Sequence, residues 1–451
     1  MNPPLKAEPE PVTATPDAPE PKEATRAALD LPPLEEETGT RRRRGWLLAF
    51  AVLAPALLAW YLNGLTKTND HPAKATTAAA SPAQQATLAQ QIAAAKAGQI
   101  AQPPAPNVPA VETEATLAAG LKDLEAYLRE SHSRNDMATA LERFRTRLMH
   151  APREVAVADI LGYMADGHDV PTTLPFTIGP GGWLASASSM RLFLLDALGE
   201  VDPESASQYA KVILDQPGAS PDEWALSMRN LAQRDPDMAN DPYLQEKARE
   251  LVTNTQWLSQ PTAGLMEGFD FVVFTKQTDL TPVLTGYMDD GNQSSAVRFG
   301  SFLTLDRLTL SEPAAVFAQL NAQPDLLSAE PSMRAAMFAR ADVTDPAQLA
   351  AVETYLQRPD LTPAELNQFA ITFPLFTQAI SNNLATTQQM PNIQQMALRD
   401  AATLAVVNQW IGEPQFAGRQ DVLQVLKASL IENVQSAQRG GLLPVTNGGA
   451  P

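Results

Sequence analysis

The chain has 451 residues, a formal net charge of −18, no cysteine and only four histidines. Without cysteine there is no disulfide scaffold and no cysteine-ligated zinc or iron–sulfur centre, and the histidine count leaves little for an imidazole-built metal site. The acidic balance argues against a nucleic-acid binder, because phosphate contacts need a basic face, and nothing in the composition implies a cofactor.

Residues 1–44 come first. Positions 1–40 hold nine prolines, nine acids and only Lys6, Lys22 and Arg26 as bases, and the stretch closes on Arg41-Arg42-Arg43-Arg44. Such a segment buries too little apolar area to offset chain entropy, so a disordered acidic tail is expected. Gly45 to Leu65 then carries no charge. At helical rise that length spans about 30 Å of hydrocarbon, so residues 45–65 read as a transmembrane helix. Trp46 stands at one end and Trp60 with Tyr61 at the other, as an aromatic belt would have them, and Pro55 in mid-span is tolerated in lipid.

Four arginines precede the span, and only Lys67 and Lys74 follow it closely, with Asp70 between them. The positive-inside rule therefore places the N-terminus in the cytoplasm. A cleaved signal peptide fits less well, since a long tail precedes the apolar core and the small-residue run Ala78-Ala79-Ala80 lies well beyond it. A cysteine-free exported chain suits a bacterium, which makes the expected location the inner membrane, with the C-terminal domain in the periplasm.

Residues 66–111 are rich in Ala, Gln, Thr and Pro and read as a linker that holds the folded part off the membrane. From 112 to 434 the grammar is helical. Leu117, Leu121, Leu124 and Leu128 form one apolar stripe, and Met137, Leu141, Phe144 and Leu148 another, with a polar turn between them. Strand alternation is scarce; the one β-like run, Asp270 to Phe274, reads equally as a buried helical turn. The expected fold is all-α, and residues 435–451 are expected to form a disordered tail.

The helical region contains a duplication. Gly162-Tyr163-Met164-Ala-Asp166-Gly167 matches Gly286-Tyr287-Met288-Asp-Asp290-Gly291. Downstream, Leu195-Asp196-Ala-Leu198 with Pro203 matches Leu305-Asp306-Arg-Leu308 with Pro313. The offset between the copies shortens along the chain, so the first copy carries an insertion within His168–Gly182. Breaks recur at Gln216-Pro217, Gln260-Pro261, Gln323-Pro324 and Arg358-Pro359. Ser220-Pro221-Asp-Glu223 and Thr362-Pro363-Ala-Glu365 both read as an N-cap, a proline in the first turn and a capping-box acid. The first and last of these spacings, roughly 35–45 residues, resemble helix-pair repeats of the HEAT or armadillo kind. The resemblance is architectural and covers residues 112–434. It implies a solenoid-like domain in which stacked pairs share a core, with a compact helical bundle as the alternative.

Few residues suggest chemistry. Asp166, His168 and Asp169 lie close together, with Asp289 and Asp290 at the matching place, and such acids and histidine can bind metal or move protons. Gly167 and Gly291 follow an apolar helical run, however, where a helix C-cap wants glycine, and the histidine is absent from the second copy. The loop Thr177-Ile-Gly179-Pro-Gly181-Gly182-Trp183 is expected to open a helix near Leu184; it lacks a phosphate-loop lysine. A loop inserted in one repeat copy is a natural place for function, which makes Phe176 and Trp183 candidate contact residues, with core packing the other fate open to each. Ser188 and Ser189 lack any nucleophile motif. Arg191 and Arg298 begin comparable helices and are expected to tie to acids of a neighbouring repeat.

Six arginines between Arg129 and Arg153 outnumber the acids there, and Arg143, Arg145 and Arg147 are candidates for contact with an acidic partner or anionic headgroups. The leading expectation is a non-catalytic, membrane-anchored scaffold or adaptor that binds another envelope protein. An envelope hydrolase using the acids near Asp166–Asp169, with glycans as the candidate substrate, is the alternative, and a structural spacer is a third.

Overall fold

The computed structural model describes residues 114–165, 167 and 169–444. The expected tail 1–44, the span 45–65, the linker 66–111, Asp166 and His168 lie outside the described residues. Among those described, no helix is long and apolar enough to cross a membrane.

The described chain is helical apart from one two-stranded hairpin. It begins with α1 (Glu114–Leu128) and α2 (Arg134–His150), followed by α3 (Arg153–Ala165). The hairpin strands β1 (Thr177–Ile178) and β2 (Leu184–Ser186) precede α4 (Met190–Val201), α5 (Pro203–Asp215) and α6 (Pro221–Arg234). Next come α7 (Pro242–Thr253) and the short helices α8 (Thr255–Ser259), α9 (Ala263–Gly268) and α10 (Asp270–Phe274). Then follow α11 (Thr281–Asp289), α12 (Ser295–Ser311), α13 (Pro313–Ala322) and α14 (Pro331–Phe338). The last are α15 (Pro346–Gln357), α16 (Pro363–Thr372), α17 (Ile393–Gly412) and α18 (Gln420–Arg439).

Much of the proline content is explained by these boundaries. Proline occupies the first turn of α5, α6, α7, α11, α13, α14, α15 and α16, where its missing N–H costs nothing. Ser220 caps α6 in a full capping box with Glu223. Thr362 caps α16 by accepting from Glu365 N, but the Glu365 carboxylate does not reach back; it is drawn inward to Arg334.

Both apolar stripes read from the sequence are buried, from Leu117 to Leu128 and from Met137 to Leu148. Helices pair in chain order, and each pair packs on the next. Second helices stack as α2 on α4, α4 on α6, α6 on α9, α9 and α10 on α12, then α14 on α16 and α16 on α18. Contacts between first helices include α1 on α3 and α13 on α15. An aromatic column threads the C-terminal pairs: Phe317, Phe338, Tyr355, Phe369, Phe373, Trp410 and Phe416 follow one another with ring centroids 4.1–6.4 Å apart. The contacts Phe317–Phe338, Phe338–Tyr355, Tyr355–Phe369 and Phe373–Trp410 join separate helical elements, so the column helps hold them in register.

Charged staples repeat as well. Arg191 on α4 bonds Glu223 on α6 at 2.9 Å and donates to Met164 O. Arg298 on α12 bonds Glu330 at 2.7 Å and donates to Met288 O. The two carbonyl acceptors are the matched methionines of the duplication. Arg334 on α14 extends the series with a bidentate pair to Glu365 on α16 and a bond to Pro324 O. Asp196–Arg229 and Asp306–Arg340 add buried pairs alongside.

Two boundaries differ from expectation, and one open reading is decided. Residues 184–186 form a strand, and the helix expected near Leu184 starts at Met190, with Ser189 as its N-cap. Asp270 to Phe274 is helical, which settles the β-like run. The helical region does not stop at 434: α18 continues to Arg439, and Leu443 is buried against Ala397 and Ala437.

Candidate interaction groove

The expected insertion, residues 168–182, contains the first strand and the turn of the hairpin β1–β2, and a dense set of bonds fixes that hairpin to the second helices. Leu184 N donates to Asp196 on α4. Arg229 on α6 is fully buried; its guanidinium lies 4.3 Å from the Trp183 ring centroid and donates to Gly182 O. Gln233 donates to Gly181 O. Asp196 holds Arg229 at 2.8 Å and Arg145 at 2.6 Å, so one buried carboxylate serves two cations and a backbone amide. Burial lowers the Arg229 pKa, and Asp196 opposes that shift.

The hairpin meets a segment far along the chain. After α16 the backbone runs from Phe373 through a cis bond to Pro374, and no regular element occurs before Ile393. This extended stretch turns back along the second helices. Leu375 N donates to Ala339 O at 2.7 Å. Arg307 on α12 bonds Ser381 at 2.9 Å, and the Gln388 amide oxygen accepts from the same guanidinium. Asn382 donates to Ile178 O on β1, 204 residues away. Gly182 has φ of +80°, and a Cβ there would overlap the Leu384 carbonyl, so glycine permits the closest approach.

Asp270 is the anchor of this segment. It is 3% exposed, and its carboxylate accepts from Ala385 N at 2.8 Å, Thr386 N at 2.9 Å and the Thr386 hydroxyl. Arg307 stands 3.7 Å from it. Nearby Glu267 on α9 is half-buried; burial pushes its carboxyl up to about 7, with the Asp270 charge adding to the rise and Arg307 opposing it.

Three cavities lie end to end along residues 375–391. One of about 400 Å³ runs between the hairpin tip, α6 and residues 380–388. The next, about 450 Å³, is walled by Val273, Phe274, Leu310, Leu375 and Phe376, with Arg307 and Arg399 also in its lining. The third, about 540 Å³, is bounded by Asp342, Met390, Leu398 and Arg399. Neighbouring cavities share lining residues, so together they form one groove.

The candidates named from sequence fall in different places. Phe176 is 6% exposed and sits in the core, so of its two expected fates core packing holds and the contact reading does not. Trp183 is half-buried against Arg229 and beside the helix glycine Gly199. The structure does not keep the arginines together. Arg145 turns inward to Asp196 and Glu200, Arg147 lies over Phe144 and Gly120, and Arg143 is exposed. Asp169 accepts from Val170 N and from Arg191 N at the start of α4, a capping role. Asp290 accepts from Asn292 N in the matching turn. Among the described residues, no group of three or more His, Asp or Glu is placed to hold a metal ion.

Asp270, Arg307, Arg399 and the segment 375–391 were not singled out from the sequence. The available signal was a run without a helical stripe, bracketed by Pro374 and Pro391, rich in Gln, Asn and Thr, and longer than most helix connections. Comparison with protein-family models, with curated proteins and with solved structures finds no match for this chain.

Proposed function

We propose that this protein is a single-pass protein of a bacterial inner membrane, with its N-terminus in the cytoplasm and a solenoid-like helical-repeat domain in the periplasm. It acts there as a non-catalytic scaffold or adaptor for another envelope protein. The uncharged run 45–65 behind four arginines supports the topology. The stacking of successive helix pairs supports the repeat reading. One observation carries the binding role: the second-helix face already holds an extended stretch of chain, through side-chain bonds to its backbone and cavities along its length. A surface built to grip an extended segment in this way suits peptide recognition.

Two reporters fused in turn to the C-terminus of the full chain test the topology. A phosphatase that matures only in the periplasm is expected to be active, and a β-galactosidase inactive. The reverse pattern contradicts the reading. Affinity capture of the full chain from detergent-solubilised envelopes tests the adaptor role: a reproducible stoichiometric partner is expected, and a reproducible absence of partners points to a structural spacer.

A further inference from the structure

The middle cavity is lined by positive charge within an acidic chain. The chain carries −18, yet the charged side chains lining this cavity are two arginines, Arg307 and Arg399, with no acid among the lining residues. The apolar part of the lining is formed by Val273, Phe274, Leu310, Leu375 and Phe376. Leu310 at the rim is 39% exposed.

Each arginine has an acid at its back, but loosely. Asp270 is 3.7 Å from Arg307 and Asp342 is 3.5 Å from Arg399, both well beyond the roughly 2.7–2.9 Å of a charge-assisted bond. Asp270 spends its oxygens on the backbone and hydroxyl of residues 385–386. Arg399 lies 5.0 Å from the Phe376 ring centroid and donates to the carbonyls of Arg340 and Ala341, which fix its position. Burial lowers its pKa; Asp342 opposes that shift and Arg340 adds to it. Positive charge is therefore held in a partly desolvated site beside an apolar wall.

We propose that this cavity binds an amphipathic carboxylate: an aliphatic or aromatic group lying on Val273, Phe274 and Leu310, with its carboxylate between Arg307 and Arg399. The volume, about 450 Å³, falls within the range of small-ligand sites. The same chemistry is presented by a free carboxylic acid and by a peptide chain ending in an apolar residue. The peptide source deepens the adaptor reading and rests on it; the free acid does not.

Thermal shift of the full chain in detergent distinguishes these. The probes are octanoate against octanamide, and the peptide Ala-Ala-Leu-Phe with a free C-terminus against its carboxamide. Each carboxylate that binds is expected to raise the melting temperature, and its amide counterpart is not. Arg399→Gln is expected to weaken carboxylate binding by about tenfold or more. Because Arg399 also braces two carbonyls, the rim pair Leu310→Asp and Leu310→Asn provides the cleaner comparison. The aspartate is expected to abolish carboxylate binding, and the asparagine, which loses the apolar contact but adds no charge, to weaken it less, so the difference between the two reads the charge alone.

A response to the peptide acid supports the site and ties it to partner recognition. A response to octanoate alone supports the site as a small-molecule pocket and removes it from the adaptor reading, which then stands or falls on capture. If neither acid stabilises the protein, if the amides act as strongly as the acids, or if Leu310→Asp binds like the parent, the proposal is overturned.

Discussion

Arg334 and Glu365 face each other across the interior between α14 and α16, joined by two parallel bonds of 2.7 and 2.8 Å. Tyr355 donates a third bond to the same carboxylate at 3.0 Å. This is one of the buried charged staples that join successive second helices. Breaking one partner strands a buried charge, which typically costs about 3–5 kcal/mol, whereas replacing both with apolar groups of similar volume is often neutral. Glu365→Ala is therefore expected to lower the melting temperature strongly, and Arg334→Met with Glu365→Leu to restore much of the loss. A double variant as unstable as the single one contradicts this.

Gly182 permits the hairpin to touch the extended segment. Its φ of +80° and the adjacent Leu384 carbonyl leave no room for a side chain. Gly182→Ala should push residues 382–384 away from the hairpin while the helices remain folded. Limited proteolysis reads this directly: faster cleavage within 376–391 is expected, with cleavage elsewhere unchanged from the parent. Unchanged cleavage there would show that the contact does not hold the segment.

Asp270 holds the segment from the other side. Asp270→Ala leaves the amides of Ala385 and Thr386 without their acceptor, at a cost of about 1–3 kcal/mol each. Hydrogen exchange at those two amides is expected to quicken by about tenfold or more, with helix-core amides in α4 and α12 unaffected. Retained protection at 385 and 386 contradicts the anchoring role.

Glu267 gives a pH dependence of definite sign. Its folded pKa, about 7, stands above the ordinary 4.5. The folded chain therefore holds this proton more tightly than the unfolded chain, and the stability this adds at low pH is lost as pH rises from about 4.5 to about 7. Glu267→Gln should flatten that part of the melting-temperature profile and melt higher than the parent at pH 8. Parallel profiles for the two proteins would show that this carboxyl is not the source.

Much of the helical framework was legible because apolar residues at helical spacing must share a face. Leu117 to Leu128 and Met137 to Leu148 are buried as that spacing requires. The capping box at Ser220, the N-cap at Thr362 and the arginines at 191 and 298 also behave as read, since caps and matched charges are local or repeated features, whereas the Glu365 carboxylate leaves its expected box for Arg334. What escaped is non-local. Asp270 sits in the apolar run Asp270–Phe274, and its partners lie 115 and 116 residues away. No periodicity announces that a Gln- and Thr-rich stretch will lie along other repeats. Phe176 and Arg145 look like surface candidates in a list of residues, yet each finds an interior partner that only the fold supplies.

The binding role of the groove is tested most directly by site-specific photocrosslinking of the full chain in intact cells. A photoreactive residue at Leu310 lies in the groove, and one at Val212, 54% exposed on α5, lies away from it. The account predicts a discrete crosslinked partner from position 310 and none from 212. Equal crosslinking from both positions, or from 212 alone, would contradict it.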